Sequence, residues 1–230
     1  MPEIIDLSQE IYAGMPVHKA MPVVEISVHA THEQWNKESN PSEHTPSALK
    51  LSFVEHSGTH VDALNHMGKA FAGQSIDNMP LSMFYTEGIC LNLSTKQPGE
   101  FIEIEDLQQS LAQDSLEIKA GDTVLLYTDY YRRYFATNQW SNGPGLTPEA
   151  VRWLGQLKIS AFGVETMAPG ISGKGNKEVH YICGELGFTH YENLVNLYQL
   201  VGRGRFRFIG LPLKIRGGTG SPVRAIAVFE

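Results

Sequence analysis

The eleven residues HSGTHVDALNH, positions 56–66, put three histidines and an aspartate into one short segment. A surface loop has no need to concentrate such groups, and a buried segment must find a partner for every ring nitrogen and carboxylate oxygen. His56, Gly58, His60, Asp62 and His66 share one parity, so an extended or gently turning chain brings their side chains out on one side, which a helix would not do. Extension with a bend is therefore required. Gly58, free of a Cβ, can take positive φ and supply that bend. Upstream, LKLSFVEH from position 49 alternates Leu49, Leu51 and Phe53 with polar neighbours and reads as a strand delivering His56 at its end.

Neutral imidazole and carboxylate are the donors that divalent zinc prefers, with manganese or iron accommodated where carboxylate oxygens are numerous. The segment thus reads as half of a metal site. Ser57 and Thr59 lie beside it without the separate His/Asp pair of a serine triad, and are expected to hold backbone or outer contacts. The other half must come from a distant part of the chain. VHYICGELGFTHYENL, positions 179–194, offers His180, Glu185, His190 and Glu192.

Composition narrows the partners. With 230 residues, 42% of them apolar, the chain can bury a core without disulfides or a structural metal, and no repeat or low-complexity linker divides it, so one domain over 1–230 is expected. A net charge of −7 and the lack of a long Lys/Arg run argue against nucleic acid and anionic membrane as partners. The one basic rhythm, Arg203, Arg205 and Arg207 in GRGRFRF, reads as the outer face of a strand backed by Phe206 and Phe208. No apolar run approaches the ~20 residues of a membrane span and no secretory leader is evident, which makes the cytoplasm the expected location. Cys90 and Cys183 read as buried thiols.

Strand signals are frequent: VVEISVHAT, LKLSFVEH, GICLNL, TVLLYT, ISAFGVE, FRFIG and VRAIAVF. In GLTPEAVRWLGQL, Thr147 is a suitable N-cap, Pro148 fills the first helical position, and Val151, Leu154 and Leu157 keep helical spacing. IEDLQQSLAQ and ENLVNLYQLV are further amphipathic helix candidates. The pattern is that of a mixed α/β domain.

H-x-G-T-H-x-D, with a third histidine four residues after the aspartate, resembles the signature of the metal-dependent cyclase-like hydrolases, which include the bacterial kynurenine formamidases. IDLSQEIYAGMPV, GDTVLLYTD, PGLTPEAVRWL with GVET, ENLVNL and PLKIRGGTGSPVRAIAV extend the resemblance along the chain in the family's order. It implies an α/β fold of the swivelling β/β/α type, with mixed sheets and a few flanking helices. It also implies a divalent metal site, usually two zinc ions, with manganese as the alternative. By this resemblance His56 and His60 bind one ion, Asp62 bridges two, His180 binds the second, Glu192 bridges with Asp62, and His66 is the catalytic acid/base. Glu185 and His190 drop out, because no family ligand falls on them.

Departures from the family lie at Leu64, where proline is common, at His18, where kynurenine formamidases carry a tryptophan against the substrate, and at Glu165-Thr166-Met167 in place of Asp-Thr-Pro. The HSGTH core and the C-terminal block are equally similar to isatin hydrolases, which lack the His and Glu kept here at His180 and Glu192. The expected reaction is attack of metal-activated water on a small amide, cyclic amide or imide, or lactone, with His66 moving the proton; a cyclase and a non-catalytic metal-binding module are the alternatives. A homodimer or homotetramer is implied, with Trp35, Tyr130, Tyr131, Tyr134 and Phe135 as candidates for an interface or pocket wall and Arg132 and Arg133 for a substrate carboxylate.

Overall fold

The computed structural model describes residues 1–36 and 41–230. In chain order these form β1 (Glu3–Asp6), β2 (Glu25–Ala30), α1 (His32–Trp35), β3 (Ala48–Ser52), β4 (His60–Asp62), β5 (Tyr85–Asn92), β6 (Phe101–Ile102), α2 (Ile104–Gln113), β7 (Thr123–Tyr127), α3 (Tyr130–Tyr134), β8 (Gly145–Leu146), α4 (Pro148–Gln156), β9 (Ala161–Val164), α5 (Asn176–Leu186), β10 (Thr189–Glu192), β11 (Phe206–Ile209), β12 (Gly220–Pro222) and β13 (Ile226–Phe229). One mixed sheet runs in the order β1-β13-β11-β5-β7-β9-β10-β4-β12. Its central strands β5, β7, β9 and β10 are parallel, joined by crossovers through α2, α4 and α5, while the flanking pairs are antiparallel. β2 with β3, and β6 with β8, form separate two-stranded ribbons.

The central strands are buried on both faces, which is why their sequences are near-continuous apolar runs. Ile89, Leu91, Val124, Leu126, Phe162 and Val164 face the helices, against Leu107 of α2, Val151 and Leu154 of α4, and Val179 and Ile182 of α5. Cys90, Leu125, Tyr127, Tyr191 and Phe208 point the other way, into a second core closed by Leu7, Phe84, Leu194 and Leu197. The mixed α/β expectation holds.

α4 starts as its sequence dictates: Thr147 Oγ1 accepts a hydrogen bond from the Ala150 N–H at 3.1 Å, and Pro148 occupies the first helical position. α2 covers IEDLQQSLAQ, with Glu103 and Asp106 closing a capping box. ENLVNLYQLV departs from expectation. Asn193 and Asn196 adopt positive φ, 55° and 61°, and the backbone of Leu194 and Val195 bonds to Val164 and Leu7, leaving one 3₁₀ turn at Leu197–Gln199. LKLSFVEH is a strand only to Ser52; it pairs with β2 outside the main sheet, and residues 53–57 bend back toward β4.

Gly145 tests the packing of the loop beyond β9. A Cβ there would lie 2.5 Å from the carbonyl carbon of Gly170 and 2.7 Å from the nitrogen of Ile171, both backbone atoms that cannot rotate away. Gly145→Ala is expected to destabilise by roughly 3 kcal/mol in urea unfolding. Gly73→Ala, exposed and with open space around the added methyl, should leave the midpoint almost unchanged.

Candidate metal centre

β4 and β10 lie side by side, antiparallel, with His60 opposite Glu192 and Val61 opposite Tyr191. The two-residue period sends His60 and Asp62 to one face of β4 and His190 and Glu192 to the same face of β10. Across β4, β12 places Gly220 opposite Asp62. His180 arrives from α5, and His56 from the turn before β4, where Gly58 has φ +65°. The predicted bend is therefore present, and side chains from two distant segments converge.

Asp62 Oδ1 lies 2.8 Å from His56 Nδ1 and 3.4 Å from His60 Nε2; Asp62 Oδ2 lies 3.6 Å from His180 Nε2 and 3.3 Å from His190 Nε2. Glu192 Oε2 is 3.5 Å from His60 Nε2, and its Oε1 is 3.5 Å from His180 Nε2 and 3.3 Å from His190 Nε2. Each carboxylate thus turns its two oxygens to two different groups of imidazoles. His56, His60, Asp62, His180 and Glu192 are brought together. Glu185 is not: it pairs with Arg152 on the surface. His190, set aside in the sequence reading, sits inside the cluster. The signal for it was the H-x-E spacing, which repeats the H-x-D of β4.

The outer hydrogen bonds fix which nitrogens point inward. His60 Nδ1 is 2.9 Å from the Gly58 carbonyl and His180 Nδ1 is 2.7 Å from the Asn176 carbonyl. A carbonyl only accepts, so each Nδ1 carries a proton and Nε2 is the nitrogen turned toward the carboxylates. The Thr219 hydroxyl donates to Glu55 Oε2 at 2.7 Å, so it accepts from His56 Nε2–H at 3.0 Å, leaving His56 Nδ1 to face Asp62. Imidazoles and carboxylates packed this closely need positive charge among them, as protons on the rings or as a cation between the groups. Consistently, His60 Nε2 and Asp62 Oδ2 are buried and lack a hydrogen-bond partner. These residues fit a divalent ion.

Electrostatics point the same way. Burial works against charge on His60 and His190, yet Asp62 and Glu192 raise the proton affinity of both above that of an ordinary imidazole. Burial would raise the two carboxyl groups, but the surrounding imidazoles hold Asp62 and Glu192 below the usual carboxylate range. Two buried negative charges demand positive charge beside them.

The cluster forms the floor of a cavity of about 350 Å3, walled by Pro16, Val17, His18, Met21, Trp140, Thr166, Met167 and Ile171. His66 stands at this floor with its side chain a quarter exposed, 3.8 Å from Asp62 Oδ2 and with its ring 4.1 Å from that of His56. Burial, helped by His56 and His180 and opposed by Asp62, pushes its pKa down to about 4. Trp35, Tyr130, Tyr131, Tyr134 and Phe135 do not line the cavity; Tyr130 is buried against Tyr134 and Trp140. Arg133 donates to the carbonyls of Lys96 and Thr128, and Arg132 pairs with Asp129 and covers Tyr198, so neither faces the cavity. Arg203, Arg205 and Arg207 pair with Glu3, Asp122 and Glu87, but only Arg207 lies in β11; the other two precede the strand rather than forming its outer face. Thr59 holds backbone contacts as expected, while the Ser57 hydroxyl is buried without a partner.

Sequence reasoning missed Glu55 and Thr219. Gly218 and Gly220 leave room for them: a Cβ at Gly218 would lie 2.6 Å from Glu55 Oε1, and one at Gly220 would lie 2.7 Å from His56 Cε1. Thr219→Val breaks the link from Glu55 to His56. We expect metal affinity to fall by about 10–100-fold in competition with a chromophoric chelator. Unchanged affinity would show that this hydroxyl does not orient His56.

The Cyclase family model matches residues 5–170. An isatin hydrolase from Roseibium aggregatum is 30% identical over 76% of this chain and 72% of its own length. A kynurenine formamidase from Paracidovorax citrulli is 27% identical over 96% of this chain and 94% of its own. Among solved structures, isatin hydrolase A from Ralstonia solanacearum superimposes with a TM-score of 0.86 at 27% identity, covering 100% of this chain and 92% of that one. With the signature segment seated in a carboxylate and imidazole cluster inside this fold, the chain belongs to the Cyclase family.

Proposed function

We propose that the protein is a metal-dependent hydrolase of a small amide, cyclic amide or imide, or lactone. The observation carrying this reading is a buried cluster of imidazoles and two carboxylates that opens on one side into a cavity of small-molecule size, with His66 at the junction. The relatives named isatin hydrolase and kynurenine formamidase support the same chemistry. Zinc is the first expectation for this donor set and manganese the second, and Asp62 and Glu192 are the residues that would be shared if two ions bind.

When bound, a divalent ion supplies a water acidic enough to ionise near neutral pH and draws electron density from a carbonyl oxygen. The chain's own residues do the rest. His66, held neutral by its depressed pKa, keeps a ring-nitrogen lone pair that accepts the proton of the attacking water and returns it to the departing nitrogen or oxygen. Pro16, Val17, Met21, Ile171 and Trp140 exclude bulk water and hold the apolar part of the substrate. His18 and Met167 both stand on the cavity wall, so the departures from kynurenine formamidases bear directly on substrate choice.

His66→Ala is expected to keep the metal content of the wild type and lose most turnover, whereas Asp62→Ala should empty the site. Elemental analysis of both, with a hydrolysis screen over isatin, aryl formamides including that of kynurenine, cyclic imides and lactones, tests the assignment. Full turnover by His66→Ala refutes the role of His66, and a full metal load in Asp62→Ala refutes bridging.

We also infer a single domain of cytoplasmic location, assembled as a homodimer or homotetramer. The main sheet takes strands from both ends of the chain, and Cys90 and Cys183 are free buried thiols, as suits a reducing compartment. In the β2–β3 ribbon, Ile26 pairs with Leu51 and Val28 with Leu49, which gathers these apolar side chains on one face; Val28 and Leu49 are more than 60% exposed. An isolated two-stranded ribbon is marginal in water, so a second copy is the natural cover. Val28→Lys with Leu49→Lys should reduce the mass in sedimentation equilibrium to that of one chain. An unchanged mass would exclude the ribbon as the interface.

A further inference from the structure

The contacts of the cluster separate by carboxylate oxygen. Asp62 Oδ1 and Glu192 Oε2 face His60, with His56 on the Asp62 side. Asp62 Oδ2 and Glu192 Oε1 face His180 and His190. In the second group the four nitrogen-to-oxygen separations are 3.6, 3.5, 3.3 and 3.3 Å. Donors held tetrahedrally at a zinc distance of about 2.0–2.1 Å stand about 3.3–3.4 Å apart. Four of the six edges of such a shell thus already have its spacing, and all four donor atoms lie within 4.8 Å of one another.

His190 is placed where a ligand belongs and where a plain hydrogen-bonding residue is poorly served. Its side chain is 2% exposed, its ring stacks on Phe162 with centroids 5.4 Å apart, and it does not border the cavity as His56, His60, His66 and His180 do. Its Nδ1 is buried in the wall without a hydrogen-bond partner, while Nε2 is the nitrogen that faces both Asp62 and Glu192. With the proton on Nδ1, beside the Cys183 thiol, the Nε2 lone pair is free for a cation.

We propose that His190 is a metal ligand that completes, with His180, Asp62 and Glu192, a position filled entirely by protein donors. A second ion, if held by His56 and His60 on the other carboxylate oxygens, would lie beside the cavity those two residues line. The centre would then be asymmetric, with one ion held only by protein donors in a structural role and the other supplying the Lewis-acid chemistry of the reaction. This rests on the reading of the cluster as a two-ion site, and its test does not use activity.

The wild type, His190→Ala and His190→Asn, each checked for fold by circular dichroism, would be titrated with zinc against a chelator and with cobalt(II) followed by visible absorption. The expected result is two equivalents in the wild type and one retained by both variants, the other weakened by about 100-fold or more, beyond the about 10–100-fold of an outer-contact loss. In the cobalt-loaded wild type, added azide should shift the absorption of one ion and leave the intense bands of the one held only by protein donors unchanged. Variants that bind both equivalents with wild-type affinity would overturn the proposal. If the variants do not fold, the azide titration decides alone: two responsive ions overturn it and one supports it. Two ions bound as described in a protein that hydrolyses no amide or lactone would leave this inference standing and remove the hydrolase reading; failure to bind any divalent ion would remove both.

Discussion

The structure is organised around two buried carboxylates, Asp62 and Glu192, held diagonally on one face of the sheet by the antiparallel pairing of β4 with β10. Burying two like charges together costs several kcal/mol per ion unless positive charge is placed between or beside them. The fold meets this demand with imidazoles presented by both strands, by α5 and by the turn before β4. That shared demand explains why one cluster draws on residues more than a hundred positions apart.

The scaffold stiffens the cluster from behind. Thr59 accepts from the Gln9 N–H and donates to the Asn193 carbonyl, and the Asn193 side chain donates to the Gly58 carbonyl, which also receives His60 Nδ1–H. The two left-handed residues that flank the ligand strands, Gly58 before β4 and Asn193 after β10, are therefore tied to each other as well as to the ligands. On the far side, Glu55 and Thr219 hold His56, in space left by two glycines of the C-terminal block. Ligands fixed this way need little rearrangement to receive a cation, which favours affinity.

Much of the fold was legible in local chemistry. The apolar runs of β5, β7 and β9 announce strands covered on both faces, and Thr147-Pro148 announces α4. α5 was not legible, because it has no side-chain cap and Gly184 interrupts its apolar pattern; its helical state is secured by packing on α4 and on the helix-facing core. ENLVNLYQLV misled for the converse reason. Its leucines keep helical spacing, but they are buried by loop backbone that two asparagines turn through positive φ.

The sequence by itself determined the ligand face of β4, because the two-residue period of an extended chain leaves His60 and Asp62 no other relation, and it marked the distant segment that had to supply the rest. It could not decide which of the residues in that segment would arrive. The same parity argument applied to β10 selects His190 together with Glu192, yet it carries weight only once β10 is known to be a strand lying beside β4. That adjacency is a product of tertiary structure. A strand's neighbour is chosen by the burial of both faces of the whole sheet, a long-range condition that no local spacing encodes.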